Sequence, residues 1–112
     1  MTYVVVDLSV AFKWFAPAGE AGLEQALALL ADHRAGAVLL AAPELLRLEV
    51  AHGFWKRGAT ADDLERVVST LEGFGIEWFR GTAERATHAA RLAAEHRLTV
   101  YDAAFVALAL EL

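Results

Sequence analysis

Three short apolar runs, separated by segments with helical periodicity, constrain the fold of this chain more than any other feature of its sequence. The runs at residues 3–6, 37–40 and 76–79 are rich in aliphatic and aromatic side chains, which is typical of strands buried on both faces. Strands that alternate with helices predict an α/β domain in three layers, with a mainly parallel sheet and helices on both faces. A length of 112 residues allows one such domain.

Capping residues and glycines mark the expected ends of the helices. Thr60 and Asp63 resemble a capping box in which Asp replaces the usual Glu. Ser9 and Thr82 are placed to cap two other helices, and Pro43 suits the first turn of a helix. We therefore expect helices over residues 9–15, 20–35, 43–57, 60–73 and 82–97, and a last helix that begins near Asp102.

Composition and charge exclude several classes of protein. The chain has no cysteine, which excludes disulfide scaffolds, thiol catalysis and zinc–thiolate sites and fits a cytoplasmic protein. Its formal charge of -5 differs from that of nucleic-acid binders that rely on a basic surface. Its longest apolar stretches, about nine residues, are too short to span a bilayer. No basic segment precedes the first apolar run, so we expect no signal peptide.

Asp7 directly follows the first predicted strand. In open α/β sheets, ligands bind in the crevice outside the carboxyl ends of the strands, so a carboxylate at this position is a candidate site residue. A loop aspartate that accepts hydrogen bonds from nearby backbone amides is an equally good interpretation of the same position.

Glu49 is the most informative acid of the chain. On the predicted helix it lies inside the apolar arc, flanked by Leu45 and Gly53. A charge within a buried stripe is costly unless a partner compensates it, and Gly53 leaves room one turn later for a ligand or a close backbone. The alternative is a glutamate that reaches water at the edge of the stripe or pairs with an arginine. The functional interpretation is favoured because buried unpaired glutamates are rare.

Asp102 lies at or near the start of the last predicted helix. An aspartate is a preferred N-cap and interacts favourably with the helix dipole, so a structural role explains this residue well when it is considered alone.

Considered together, the three acids indicate a metal site. The predicted fold can bring Asp7, Glu49 and Asp102 to one edge of the sheet. Oxygen ligands without cysteine suit Mg²⁺ or Mn²⁺ rather than zinc, and a divalent cation relieves the repulsion among clustered carboxylates. The chemistry that such a site serves is metal-assisted hydrolysis of phosphodiester bonds.

Ser9, His52 and Lys13 are weaker candidates for residues that support the acids or contact a substrate. His52 follows Glu49 by one turn on the same side, where a histidine can hydrogen-bond a metal ligand, although a partly buried structural histidine is the simpler interpretation. The remaining histidines are expected on helix exteriors: His33, His88 and His96.

Two sequence pairs place cations beside an aromatic side chain and near a proposed acid. Lys13 precedes Trp14, and Trp55 precedes Lys56 and Arg57. Both arrangements fit contacts with a phosphate backbone.

Three blocks of the sequence resemble the PIN domain, in its VapC-type toxin branch. They are residues 4–15, with a D-x-S-V-A motif that begins at Asp7, residues 43–51 around Glu49, and residues 100–109 around Asp102. The resemblance covers essentially the whole chain. It implies that these three acids form the metal site and carry the catalysis of a Mg²⁺-dependent endoribonuclease. It also implies a homodimeric toxin of a toxin–antitoxin pair, inhibited by a small antitoxin protein that blocks the acidic site.

The sequence departs from this family at two places. The family usually has Asn where this chain has His52, and it normally continues with another strand that ends in a Thr/Ser-x-Asp segment and supplies a fourth acid. This chain stops at Leu112. We therefore expect one C-terminally shortened PIN-like domain over residues 1–112, with weakened or absent nuclease activity. The alternative is a catalytically impaired PIN-like module that acts through protein binding.

Overall fold

A parallel sheet organises residues 2–112, which the computed structural model describes. Strands β1 (Tyr3–Val5), β2 (Leu39–Pro43) and β3 (Glu77–Phe79) pair side by side in that order, with Val4 opposite Leu40 and Ala41 opposite Glu77. The central strand is buried on both faces, since Leu40, Ala41 and Ala42 are fully buried. The predicted α/β class and the parallel sheet are confirmed.

Six helices connect or follow the strands within the described residues. Thr60 and Asp63 form the predicted capping box, in which each side chain accepts a hydrogen bond from the other residue's backbone N–H. Thr82 caps its helix as predicted, by accepting a hydrogen bond from the backbone N–H of Arg85 at 3.1 Å. The helices are α1 (Leu8–Lys13), α2 (Leu23–Arg34), α3 (Leu45–Lys56), α4 (Ala61–Glu72), α5 (Ala83–His96) and α6 (Val100–Glu111). None of the described helices is long and apolar enough to cross a membrane.

The predicted boundary between the second strand and the third helix is wrong. Pro43 is the last residue of β2, where it lies opposite Phe79, and it is not in the first turn of α3. The next backbone N–H, that of Glu44, donates to the carbonyl oxygen of Phe79 at 3.0 Å. Pairing with β3 extends the strand to Pro43, beyond the predicted end at residue 40, and proline is tolerated because it stands at the strand end.

Three helix starts also differ from the prediction. Asp7 caps α1 in place of Ser9, and Thr99 caps α6, which therefore begins before Asp102. Helix α2 begins only after Gly22, which has a φ of +80°. Asp7 and Thr99 lie outside the predicted helices and provide the hydrogen-bond acceptors that start α1 and α6. Gly22 lies inside the predicted helix, and its left-handed backbone delays the start of α2.

The core lies between the sheet and the helices packed on it. Helix α6 contacts β1 and β2, while α2 and α3 contact β2. A second, smaller cluster joins α5 to α6 through four alanines, Ala89, Ala93, Ala103 and Ala107, whose small side chains allow the two helices to approach closely. The largest fully buried side chains of the main core are Val6, Leu40, Leu46, Val50 and Leu71.

His33 connects three elements, and its predicted place on a helix exterior is wrong. Its Nδ1 accepts a hydrogen bond from the backbone N–H of Leu40 at 3.0 Å, and its Nε2 lies 2.9 Å from the carbonyl oxygen of Phe74. Since a backbone N–H can only donate, the imidazole proton must be on Nε2, which donates to that carbonyl. The ring thus ties the end of α2 to β2 and to the turn before β3.

We expect the His33→Ala substitution to lower the free energy of unfolding by about 2 kcal/mol, because it leaves half-buried backbone groups without partners. The control is His96→Ala, since His96 is exposed at the end of α5. Urea denaturation of both variants measures the difference. Equal stabilities would show that the imidazole does not hold these elements together.

Candidate functional site

Asp7 occupies the turn between β1 and α1 and is held there by the first turn of the helix. Its Oδ1 accepts hydrogen bonds from the Ser9 backbone N–H at 3.0 Å, the Ser9 hydroxyl at 2.6 Å and the Val10 backbone N–H at 3.4 Å. The structural interpretation of Asp7 as a hydrogen-bonded loop residue is therefore confirmed. All of these hydrogen bonds are accepted by Oδ1, so they also fix the direction in which the second carboxylate oxygen of Asp7 points.

Glu49 lies in the middle of α3, and its carboxylate is only partly accessible. Its Oε1 is buried and has no hydrogen-bond partner within residues 2–112. Burial raises the pKa of Glu49 above its ordinary value, and the negative charges of Asp102 and Asp7 raise the pKa further. The sequence prediction of a carboxylate in the buried stripe is confirmed, and no arginine compensates it in the described chain.

The glycine one turn after Glu49 accommodates an aromatic ring. A Cβ at residue 53 would overlap the ring of Phe12, which packs against Phe54 at a centroid distance of 5.1 Å. Gly53 thus lets α1 and α3 approach closely, so the space that the sequence suggested for a ligand or a backbone is filled by a side chain.

Asp102 is in the first turn of α6 but does not cap that helix. The hydroxyl of Thr99 accepts the hydrogen bond from the Asp102 backbone N–H at 3.0 Å. The Asp102 carboxylate accepts no hydrogen bond from the described part of the chain and is exposed to solvent. The interpretation of Asp102 as an N-cap is wrong, because Thr99 takes that role and leaves the carboxylate available.

One cavity of about 330 Å³ brings the three acids together. They reach it from the end of β1, from α3 and from the start of α6. Phe12 and Phe105 form apolar walls of the cavity that the sequence patterns did not predict. For Phe12, the one indication in the sequence was Gly53, whose missing side chain leaves room for the ring. The lining residues are Asp7, Leu8, Ser9, Phe12, Glu49, Asp102 and Phe105.

The donor set of this cavity suits a hard divalent cation. Carboxylate oxygens are preferred ligands of Mg²⁺ and Mn²⁺, and the buried Glu49 Oε1 without a partner is an atom that a cation would satisfy. Across residues 2–112, no three His, Cys, Asp or Glu side chains stand close enough to hold an ion as they are. The three carboxylates line the cavity but are not close enough together to share one ion, as expected for carboxylates that repel one another without a cation.

The weaker candidates lie in different places. Ser9 lines the acidic cavity and orients Asp7, whereas Lys13 does not line it and donates to the carbonyl oxygen of Ala21 at 2.8 Å. Trp14 is buried, and its Nε1 donates to the carbonyl oxygen of Ala26 at 2.9 Å. The prediction that Trp14 accompanies a phosphate-binding lysine is therefore wrong, because the indole belongs to the core.

His52 is exposed on α3 and lies next to the acidic cavity rather than inside it. It lines a neighbouring groove that also contains Glu49, and its ring stacks on Trp55. The interpretation of His52 as a partly buried structural residue is wrong, since the ring is open to solvent.

The raised pKa of Glu49 predicts a specific dependence of stability on pH in metal-free protein. Folding favours the protonated carboxyl, so this group stabilises the fold below its ordinary pKa of 4.5, and that contribution is lost as the pH rises through the folded-state value. The Glu49→Gln variant should lack this loss and be more stable than the parent at neutral pH, by less than about 1 kcal/mol because water screens the accessible part of the carboxylate.

Thermal unfolding in EDTA from pH 4 to pH 8 measures this difference. The control is Glu95→Gln, an exposed position on α5. Parallel stability curves for the parent and Glu49→Gln would contradict the burial of an uncompensated charge.

The chain matches the family model of the PIN domain over residues 4–112, which is nearly its full length. A comparison with curated proteins finds no match. PIN domains are in general metal-dependent nucleases that act on RNA. The matched region includes Asp7, Glu49 and Asp102 together with the sheet and helices that bring them to one cavity. This chain belongs to the PIN domain family.

Proposed function

We propose that the protein is a Mg²⁺-dependent endoribonuclease, also able to use Mn²⁺, that acts in the cytoplasm as the toxin of a toxin–antitoxin pair. The observation that carries this proposal is the cavity lined by carboxylates from three distant parts of the chain, one of which has a buried oxygen without a partner. A cluster of this kind is costly for folding and is explained by a function that needs it.

Asp7, Glu49 and Asp102 are the residues that would hold the ion. The chemistry that such an ion supplies when bound is polarisation of a phosphoryl oxygen and activation of a water molecule for attack. The family match and the oxygen-only donor set support this assignment.

The chain's own residues prepare this chemistry in separate ways. Ser9 and the first turn of α1 fix the Asp7 carboxylate through three hydrogen bonds to one oxygen. The rings of Phe12 and Phe105 limit the access of water on two sides of the cavity and so strengthen electrostatic interactions inside it. Asp102, which is exposed and accepts no hydrogen bond from residues 2–112, is freer to adjust its position than Asp7.

The same cavity explains how a partner protein would inhibit the enzyme. A cationic side chain of a small antitoxin would compete with the metal ion for the three carboxylates and thereby block the acidic site. A homodimer is also part of the proposal. Exposed apolar side chains such as Leu48, which is 72% exposed on α3, provide surface for protein contacts.

The Asp7→Asn substitution tests metal binding. Asparagine keeps the oxygen that caps α1, so the metal-free variant should be as stable as the parent or more stable, because one charge leaves a crowded site. Excess Mg²⁺ should raise the melting temperature of the parent by several degrees and that of Asp7→Asn much less. Differential scanning calorimetry with Glu95→Gln as the control measures the shifts. Equal shifts in the parent and Asp7→Asn would remove Asp7 from the ligand set.

The Asp102→Asn substitution tests catalysis. Purified parent protein should cleave labelled RNA when Mg²⁺ is added, and the variant should do so roughly 100-fold more slowly, because a charge that stabilises the reacting centre is lost. Glu95→Gln should cleave at the parental rate. The reaction is followed by gel electrophoresis with and without EDTA.

Absence of cleavage by the parent would favour the other interpretation, a PIN-like module that binds a partner without catalysis. Cleavage that persists unchanged in EDTA or in Asp102→Asn would indicate a contaminating nuclease and contradict the assigned site.

A further inference from the structure

A second groove continues from the acidic cavity along α3. The groove measures about 470 Å³ and shares three lining residues with the cavity, namely Leu8, Phe12 and Glu49. Its other lining residues are the cations Lys56 and Arg57, together with His52 and Gly53. A ligand seated at the acids can therefore extend directly into a positively charged surface.

The cations of this groove are free of carboxylate partners. Neither Lys56 nor Arg57 pairs with an acid of the described chain, so both charges are available to a ligand in the groove. The Arg57 guanidinium lies over the Phe12 ring at 5.0 Å from its centroid, which holds it beside the wall that the groove and the cavity share. In a protein with a formal charge of -5, unpaired cations next to an acidic site indicate an anionic ligand.

An aromatic pair borders the same groove. The rings of His52 and Trp55 stack at a centroid distance of 5.5 Å with an interplanar angle of 24°. Trp55 is 60% exposed, so much of the indole surface is open to solvent. Stacked, exposed rings beside a cationic groove are the combination on which proteins bind single-stranded nucleic acid.

We propose that His52, Trp55, Lys56 and Arg57, which we term the α3 track, bind the single-stranded RNA segment adjacent to the phosphodiester bond that is cut. Lys56 and Arg57 contact phosphates, and one base stacks on the His52–Trp55 pair. This proposal rests on the proposed ribonuclease function and adds to it the side chains that hold the strand beside the cut. The strand must be unpaired at this place, since only an unpaired base can leave its neighbours to stack on the protein.

The cations distinguish this ligand from a protein partner. Leu48 and Trp55 are seven residues apart on α3 and share a face, so an apolar protein contact would use both of them. The groove that leads to the acids is instead lined by His52, Lys56 and Arg57, which match a phosphate backbone.

The test measures binding separately from cleavage. The full chain is titrated in EDTA with a fluorescein-labelled single-stranded RNA decamer, and fluorescence anisotropy gives the affinity. Trp55→Ala should weaken binding roughly tenfold through the loss of stacking. Lys56→Gln should reduce the slope of log affinity against log salt by about 0.7. The matched control is Arg91→Gln, an exposed cation on α5, which should bind as the parent does.

The same RNA sequence in a duplex should bind more weakly than the single strand. Parental affinity of both Trp55→Ala and Lys56→Gln would overturn the proposal. Light scattering provides a second outcome that would overturn the proposal. If Trp55→Ala and Leu48→Ala changed the molecular mass of the protein equally and left the RNA affinity unchanged, this face would be a protein contact.

The cleavage assay separates this proposal from the proposed function. Binding through the α3 track without Mg²⁺-dependent cleavage would refute the catalytic role alone, and cleavage that is unaffected by the track variants would refute the track alone.

Discussion

The half-buried carboxylate of Glu49 is the constraint around which the candidate site is organised. An acid with an oxygen removed from water, no hydrogen-bond partner in the described chain and two further acids nearby is unfavourable for folding. The energy needed to keep it there comes from the core on the same helix, where Leu46 and Val50 are fully buried. The burial of these apolar side chains thus offsets the unfavourable free energy of placing a negative charge at this position.

Helix starts position the other two acids, and they do so in different ways. Asp7 is itself the cap of α1, so the hydrogen bonds that begin the helix also fix the carboxylate at the end of β1. Thr99 caps α6, so the Asp102 carboxylate in its first turn makes no capping hydrogen bond. One acid is therefore rigid and one adjustable, a combination that suits a site whose members repel one another until a cation is bound.

The features that were predictable from the sequence depend on local physics. The capping box of Thr60 and Asp63 follows from residues three apart, and the position of Glu49 within the apolar stripe of α3 follows from the helical period. The errors arose where distant segments compete with local preference. Pro43 ends a strand because β3 pairs with it. His33 is half-buried because its ring hydrogen-bonds to backbone groups of β2 and of the turn before β3. Trp14 is buried in the core.

The sequence by itself determined the alternation of strands and helices, the identity of the acids and the place of each acid on its own element, because each depends on neighbours within a few residues. Only the tertiary structure decided that the acids share one cavity, that Phe12 fills the space beside Gly53, and that Lys56 and Arg57 line a groove continuous with the acids. These relations join residues far apart in the chain, and they arise from burying the shared core rather than from any local pattern.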